Sequence, residues 1–137
     1  MESAIQEKPK IDVAAAIIRK GNLLLIAQRE EDDTLGGLWE FPGGKKEDNE
    51  SLEECLQREI KEELNVDIEV REFYTQAVGD FETVTIYINF FHCQYLGGEP
   101  KAIECADWRW VTVPELPKFP FASLDQDVIQ KLSAEVK

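Results

Sequence analysis

Three glutamates at helical spacing stand in the segment from Gly44 to Val66, which reads GKKEDNESLEECLQREIKEELNV. Glu62 and Glu63 lie about one helical turn beyond Glu59, so a helix would bring the three carboxylates together. Glu59 also falls within the apolar stripe of that helix, where an ionised carboxylate needs a partner. A divalent cation can serve as that partner, and Mg²⁺ commonly sits between carboxylates and substrate phosphates. The segment is therefore predicted to bind a metal ion.

A helix must position these carboxylates, and the sequence indicates where it starts. Ser51 and Glu54 have the spacing of a capping box, in which each side chain binds a backbone N–H at the beginning of a helix. Acidic residues in the first turn also suit the helix dipole. The apolar positions are Leu52, Cys55, Leu56, Ile60 and Leu64. Their spacing predicts that one face of the helix packs against a sheet.

A simpler interpretation of the segment is a solvated, acidic helix face. The capping box and the position of Glu59 on the apolar side argue against it. Arg58 has two candidate roles: it can hold a glutamate of the cluster through a bidentate ion pair, or it can be an ordinary surface arginine. Its position beside Glu59 favours the first role.

The residues before this helix, Leu38 to Lys45, read LWEFPGGK. They are predicted to be extended, because a residue that precedes proline avoids the helical region. The two glycines after Pro42 allow the backbone to approach a ligand or a metal closely. A Gly-Gly pair alone usually marks a turn, so this run is informative only together with the acidic helix.

The segment from Gly44 to Val66 resembles the Nudix box. That pattern reads Gly, five residues, Glu, seven residues, Arg-Glu, an apolar residue, any residue, Glu-Glu, any residue, Gly and an apolar residue. Asn65 stands where the pattern has its second glycine. That glycine ends the helix in a left-handed conformation, and asparagine is the next best residue for it, so little damage is expected.

The resemblance extends over nearly the whole chain, because the WEFPGGK run is similar to that of MutT-like members. It implies the family's α/β fold, an α/β/α sandwich around a mixed β-sheet, and it implies roles for individual residues. The metal ligands would be the Gly43 carbonyl and Glu59, Glu62, Glu63 and Glu104. Glu50 and Arg58 would brace the loop and the helix. Members differ in which glutamate is the general base, so Glu59 and Glu104 are both candidates.

Contacts to the substrate follow from the same resemblance. Arg29 matches an arginine near the phosphates and sugar, and Phe41 matches a residue that lines the base pocket. Near the C-terminus, the segment FPFASLD resembles the one that carries a base-reading Asn or Asp, which gives that role to Asp125. The alternative is that Asp125 merely lies near the start of the last helix, as aspartate often does.

MutT-like members include oxidised-nucleotide triphosphatases and CTP pyrophosphohydrolases. The resemblance implies Mg²⁺-dependent hydrolysis, with Mn²⁺ as a substitute, of a nucleoside triphosphate to the monophosphate and pyrophosphate. The base is left open between cytosine and an oxidised purine, and a strand aromatic such as Tyr87 is a further candidate for its pocket. Rival substrates are a nucleotide sugar, a dinucleoside polyphosphate or ADP-ribose. A non-catalytic nucleotide-sensing module is the rival from another class, but such modules usually lose box glutamates.

The charge of the chain limits its partners. A net charge of −13 argues against binding a nucleic-acid polymer, which requires a basic surface. It does not exclude a small nucleotide, which can be held by metal ions and a few local cations such as Arg29 and Arg58. Gly44 and Lys45 are expected to contact this substrate, although Lys45 could equally be a solvated loop residue.

Length and composition predict one domain. The 137 residues, 43% of them hydrophobic, are enough for one core over residues 1–137, with 1–10 expected to be a flexible tail. No long apolar run or signal peptide is recognisable, so a cytoplasmic protein without membrane contact is expected. The cysteines, Cys55, Cys93 and Cys105, lack metal-binding spacing and are expected to be reduced. His92 is expected to be a packing residue, and nothing in the sequence specifies an oligomeric state.

The remaining elements complete the predicted fold. Strands are predicted over 11–19, 23–29, 67–78, 83–95 and 107–111, a helical turn over 114–116 and a terminal helix over 123–134. The first strand is almost continuously apolar and should be buried on both faces. A turn at Gly79-Asp80 should separate the two long strands. Strands on either side of an amphipathic helix, with a second helix at the end, predict three α/β/α layers.

Overall fold

The structure is a computed structural model that describes residues 8–32 and 35–136. Its strands are β1 (Lys10–Lys20), β2 (Leu23–Gln28), β3 (Trp39–Glu40), β4 (Gly43–Lys45), β5 (Asp67–Asp80), β6 (Thr85–Gly97) and β7 (Asp107–Val111). Its α-helices are α1 (Leu52–Leu64) and α2 (Gln126–Glu135), and 3-10 helices span Val113–Lys118 and Ser123–Asp125. Residues 1–7 of the predicted tail lie outside the described residues, whereas Lys10 already belongs to β1.

The seven strands form one mixed sheet. Strands β3, β2, β1, β6 and β5 lie side by side in that order, while β4 pairs with β1 and β7 with β2. Among the paired strands of the described residues, β1 and β6 are parallel and the other pairs are antiparallel. The central position of β1 explains its apolar sequence, because Ala14 to Ile18 are buried without interruption. The predicted β1–β2 hairpin and the strand over 107–111 are confirmed.

Helices cover both faces of the sheet. On one face, α1 buries four residues of the predicted stripe, Cys55, Leu56, Ile60 and Leu64, and the fifth, Leu52, is partly buried against the same core. The other face packs against residues of the first 3-10 helix and of α2, namely Leu116, Val128, Ile129 and Leu132. The predicted α/β/α layering is confirmed. Neither α-helix of the described residues has the length and apolar character needed to cross a membrane.

Both ends of α1 agree with the sequence. The Ser51 hydroxyl accepts from the Glu54 N–H at 3.0 Å, and the Glu54 carboxylate accepts from the Ser51 N–H at 2.8 Å. The helix ends at Asn65, which has a left-handed backbone with φ 60° and ψ 35°. Asparagine therefore fills the role that glycine has in the Nudix box. A helix with two such defined ends places its glutamates at fixed angles around its axis.

The turn between the two long strands differs from the prediction. Gly79 and Asp80 belong to β5, because the antiparallel ladder with β6 continues through them. The turn consists instead of residues 81–84 and is closed by a hydrogen bond of 2.9 Å from the Phe81 N–H to the Val84 carbonyl. The C-terminal helix also differs, since its first predicted turn is 3-10 and α2 begins three residues later.

Candidate active site

A cleft with a volume of about 740 Å³ draws its lining from β1, β3, β4, α1, β6 and the residues before α2. Its acidic end contains Glu59, Glu63 and Glu104, and its apolar end contains Phe41, Phe81, Leu124 and Asp125. Arg29 and Glu40 also line the cleft. The charge of Glu40 raises the pKa of both Glu63 and Asp125, so it acts on groups at both ends of the cleft.

Two glycines allow the acidic end to form. A Cβ on Gly44 would overlap the carboxylate of Glu59, so only glycine lets that carboxylate lie against β4. A Cβ on Gly43 would overlap the backbone of Ala14, to which β4 is paired. The Gly-Gly pair is therefore required by close packing at the site and is more than a turn.

Arg58 connects the loop before α1 to the helix. Its guanidinium donates to both carboxylate oxygens of Glu50, at 3.0 and 2.7 Å, and to Glu59 at 2.9 Å. The hydrogen bond from Arg58 lowers the pKa of Glu50 to about 2. Glu50 in turn accepts from the Glu47 N–H at 2.9 Å. Arg58 is therefore not a free surface arginine, but its bidentate partner is Glu50, while Glu59 of the carboxylate cluster receives a single hydrogen bond.

Glu59 and Glu63 are adjacent in the cleft and hydrogen-bond to each other. Burial raises the pKa of Glu63 well above its usual range, and the hydrogen bond with Glu59 and the charge of Glu40 add to this effect. A carboxyl group in such a place either keeps its proton or requires a compensating cation. The expectation that carboxylates of α1 crowd together is confirmed for this pair.

Glu62 does not join them. Its side chain is 48% exposed and accepts from Arg58 at 3.2 Å, and it is absent from the lining of the cleft. The cause is helix geometry, since a step of about 100° turns Glu62 away from Glu63 and places it four residues after Arg58. The predicted convergence of three α1 carboxylates is therefore wrong in this conformation. Among the described residues, no three acidic, histidine or cysteine side chains form a ready metal cage.

Glu104 supplies the third carboxylate of the acidic end from a distant part of the chain. Its backbone N–H donates to the Glu63 carbonyl at 3.3 Å, which attaches the loop before β7 to the end of α1. The exposed Glu104 carboxylate adds to the negative charge that Glu63 experiences. Glu59, Glu63 and Glu104 thus all line the same cleft, as does Gly43, without forming a closed set of three metal ligands among the described residues.

The chemistry of these donors fits a hard divalent cation. Carboxylate and backbone carbonyl oxygens are the ligands that Mg²⁺ takes in proteins, and Mg²⁺ needs only one or two carboxylates in addition to substrate phosphates. Glu63 would also gain from a positive charge, because burial of its carboxyl group, its hydrogen bond with Glu59 and the charges of Glu40, Glu59 and Glu104 all oppose its ionisation.

At the apolar end, Asp125 lies beside Phe41. The parallel contact of Trp39 with Phe121 brings them together, with a hydrogen bond of 2.8 Å from the Trp39 N–H to the Pro120 carbonyl. The carboxylate of Asp125 accepts from the backbone N–H of Phe41, and burial raises its pKa to about 7. It makes no capping hydrogen bond to α2, although it precedes that helix. The alternative in which Asp125 serves only to start the helix is therefore not supported.

Arg29 and Glu40 form an ion pair of 2.8 Å at the middle of the cleft. Each side chain is about one-quarter exposed and lines the cleft, so the pair contributes a positive charge to an otherwise acidic lining. Lys45 lines the cleft from β4 with an exposed side chain. Sequence reasoning placed Arg29 and Lys45 in the site and overlooked Glu40, even though Glu40 belongs to the WEFPGGK run.

The NUDIX domain family model matches residues 13–131. The chain belongs to the NUDIX family. Two relatives describe its place within that family. The CTP pyrophosphohydrolase of Escherichia coli is 32% identical over 124 residues, which cover 90% of this chain and 92% of the relative. The 8-oxo-dGTP diphosphatase of Proteus vulgaris is 41% identical over 88 residues, or 64% of this chain and 79% of the relative. The chain is thus a Nudix hydrolase.

Solved Nudix structures agree with the fold. The ORF135 protein of Escherichia coli has a TM-score of 0.82 and 31% identity, covering 93% of this chain and 91% of its own. The MutT protein of Methanosarcina mazei has a TM-score of 0.84 and 25% identity, covering 96% of this chain and 98% of its own. The recognition of a MutT-like Nudix protein from its motif residues is confirmed.

The residues that line this Nudix cleft do not include Tyr87, the strand aromatic that was a candidate for the base pocket. Because side chains alternate along β6, the cleft receives Ile86 and Ile88 instead. Phe81 was not identified from the sequence, since it lies in a turn whose place in the fold depends on the sheet. A single aromatic residue in a loop offers no local signal for this role.

The cysteines and the histidine have structural environments. Cys55, Cys93 and Cys105 are free and buried, which confirms that they form no disulfide. Burial raises the pKa of each thiol, so all three are poor nucleophiles. The His92 ring contacts the Tyr74 ring, with centroids 4.4 Å apart and planes tilted by 58°, as expected of a packing residue.

Proposed function

We propose that the protein is a Mg²⁺-dependent pyrophosphohydrolase that converts a nucleoside triphosphate, with cytosine or an oxidised purine as its base, into the monophosphate and pyrophosphate. The observation that supports this proposal best is one cleft with an acidic end, a central arginine and an apolar end that contains a buried carboxyl group. A nucleoside triphosphate has matching parts in the same order: a triphosphate chain that binds cations, a sugar, and a flat base with polar groups at its edge. The names of the two relatives point to the same substrate class.

At the acidic end, Glu59, Glu63, Glu104 and the Gly43 carbonyl would hold the cation, and Mn²⁺ could replace Mg²⁺. Glu62 would join them only after leaving Arg58. When bound, the cation supplies positive charge that neutralises phosphate oxygens and favours the ionisation of a water molecule. The Nudix residues around it hold the carboxylates in place: Arg58 donates to Glu59, and Glu50 holds Arg58.

The reaction itself needs a proton acceptor and an aligned substrate. Water attacks a phosphorus atom, the P–O bond to the leaving pyrophosphate breaks, and the water proton passes to a glutamate. Glu59 and Glu104 are the two candidates for that glutamate, and both line the cleft. Arg29 would bind phosphate or sugar oxygens, with Lys45 near them, and Gly44 allows the backbone to approach closely.

The apolar end would select the base. Phe41 presents an aromatic ring that contacts the Phe121 ring at 5.4 Å, which makes a firm apolar wall. Asp125 would hydrogen-bond to the edge of the base. Because its pKa is about 7, this carboxyl group is present in both protonation states near neutral pH. It can therefore donate as well as accept, unlike a fully ionised aspartate.

A panel of nucleotides incubated with Mg²⁺ tests the proposed function. The panel contains CTP, dCTP, 8-oxo-dGTP, the common dNTPs, ADP-ribose, a nucleotide sugar and a dinucleoside polyphosphate. We expect the highest kcat/KM for CTP, dCTP or 8-oxo-dGTP, with pyrophosphate as product and no activity in EDTA. Release of orthophosphate, or preference for ADP-ribose or another diphosphate-linked compound, would contradict the proposal. Nucleotide binding without turnover would indicate a sensing module.

A further inference from the structure

The turn of residues 81–84 forms part of the wall at the apolar end of the cleft. Phe81 and Val84 line the cleft, and the Phe81 side chain is 48% exposed. The Phe81 ring lies against the backbone of Gly79, where a side chain would collide with it and with Leu124. Leu124 immediately precedes Asp125. The position of this turn therefore determines the width of the cleft beside the buried carboxyl group.

The turn is at the end of a two-stranded projection. Strand β5 lies at the edge of the sheet, and among the described residues it pairs with β6 alone. Within the turn, the hydrogen bond from Phe81 to Val84 closes the chain on itself and does not attach it to the rest of the domain. A hairpin end of this kind moves easily unless another segment holds it.

Residues just before β1 provide that attachment. The Lys8 ammonium forms an ion pair with Asp80 and donates to the Phe81 carbonyl at 2.8 Å. The Pro9 carbonyl accepts from the backbone N–H of Thr85 at 3.0 Å. The Thr85 hydroxyl donates to the same Asp80 carboxylate at 3.1 Å. One short arm thus holds both ends of the turn.

We propose that Lys8 is a positioning residue for the apolar end of the cleft: by holding Asp80 and the Phe81 carbonyl, it keeps the turn of residues 81–84 in place against the bound nucleoside. This role rests on the proposed function, because it requires that a nucleoside occupies the apolar end. Lys8 does not line the cleft, so it would act through the turn and not by contact with the nucleotide. The hydrogen bond from Lys8 also lowers the pKa of Asp80, as expected for a maintained pair.

The test separates binding of the nucleoside from binding of phosphate. Lys8→Met keeps the length of the side chain and removes its charge. We expect the Kd of the monophosphate product, measured by calorimetry, to rise about two- to fivefold, the range of an exposed ion pair. The Kd of inorganic pyrophosphate with Mg²⁺, which has no base, should not change. Amide exchange at Phe81 and Thr85 should become faster.

Lys61→Met is the matched control. Lys61 also forms an exposed ion pair with an aspartate, Asp67 at 3.1 Å, but at the opposite end of β5. The Lys61→Met substitution removes the same charge and should leave the Kd of the monophosphate and the Kd of pyrophosphate unchanged. In about 1 M salt, where the Debye length falls to about 3 Å, the difference between wild type and Lys8→Met should shrink. Asp80→Asn should act like Lys8→Met, and the double variant should be no worse than either single variant.

Some results would overturn this inference alone, and one would remove the proposed function with it. An unchanged Kd for the monophosphate would show that the arm does not position the turn. Equal weakening of monophosphate and pyrophosphate would show that Lys8 acts through its charge on the whole cleft. A wild type that releases no pyrophosphate from any nucleotide would remove the proposed function as well, whereas normal turnover with an unaffected Lys8→Met variant would overturn this inference alone.

Discussion

The two ends of the cleft are built in different ways. The acidic end comes mostly from one stretch of chain, where β4 leads into α1, and short-range contacts such as the Ser51–Glu54 capping box organise it. The apolar end combines the chain after β3, the β5–β6 turn, β6 and the residues before α2. Long-range pairing holds these pieces together. We therefore expect changes at the acidic end to remove the chemistry and changes at the apolar end to alter the choice of substrate.

The largest effect is expected at the acidic end. Glu63→Gln should lower kcat by at least about a hundredfold, because it removes a charged ligand for the cation from the middle of the cleft. Folding should survive, since Gln retains the shape of a carboxyl group that already tends to be protonated. Turnover over a range of Mg²⁺ concentrations, together with circular dichroism, checks both expectations.

Glu53→Gln serves as the control for that substitution. Glu53 is an exposed glutamate in the first turn of the same helix. Its removal changes the net charge equally and should leave kcat within about twofold, as is usual for a surface substitution. Near-normal turnover of Glu63→Gln, or an equal loss in both variants, would refute the assignment of the acidic end.

A smaller loss is expected from Gly44→Ala. The new methyl group would overlap the Glu59 carboxylate, which must then move away from β4. We expect kcat to fall about tenfold or more, because small displacements of catalytic groups can cost up to about a hundredfold. Gly97→Ala is the matched control, since no atom lies within 4 Å of the Cβ that it would add. Equal activity of the two variants would show that the glycine is not needed for close packing at the site.

At the apolar end, Asp125→Asn should change selectivity more than rate. Asparagine both donates and accepts at every pH, whereas the carboxyl group of Asp125 changes between these states near its pKa of about 7. An unpaired buried group costs about 1–3 kcal/mol, which is enough to reorder substrates. The kcat/KM values of CTP, dCTP, 8-oxo-dGTP and the common dNTPs should therefore change rank. A shift of all of them by one common factor would show that Asp125 does not read the base.

The protonation of Asp125 also predicts how the choice of nucleotide depends on pH. Burial raises the pKa of Asp125, so its carboxyl group is mostly protonated below pH 7 and mostly ionised above it. The wild-type ranking of nucleotides should therefore change between about pH 6 and about pH 8, with bases that accept a hydrogen bond favoured at the lower value. The ranking of Asp125→Asn should not change over this range. Parallel pH profiles for all nucleotides in the wild type would contradict this account.

Part of the site follows from contacts between residues that are close in the sequence. The capping box, the left-handed Asn65 and the buried stripe of α1 agree with the predictions, because each depends on residues a few positions apart. Glu59 and Glu63 meet for the same reason, since residues four apart lie on one side of any α-helix. The prediction for Glu62 is wrong because spacing alone does not show which side of the helix faces the cleft and which faces Arg58.

By itself, the sequence determined that this chain contains a Nudix helix with a cluster of carboxylates, a glycine pair beside it and strands to support it. These features are local, and local spacing is set by the geometry of the helix and strand. The tertiary structure decided that Glu104 completes the acidic end, that Asp125 meets the Phe41 backbone, and that the β5–β6 turn borders the cleft. Such contacts depend on strand order and register, in particular on the parallel pairing of β1 with β6, and no short stretch of sequence encodes that pairing.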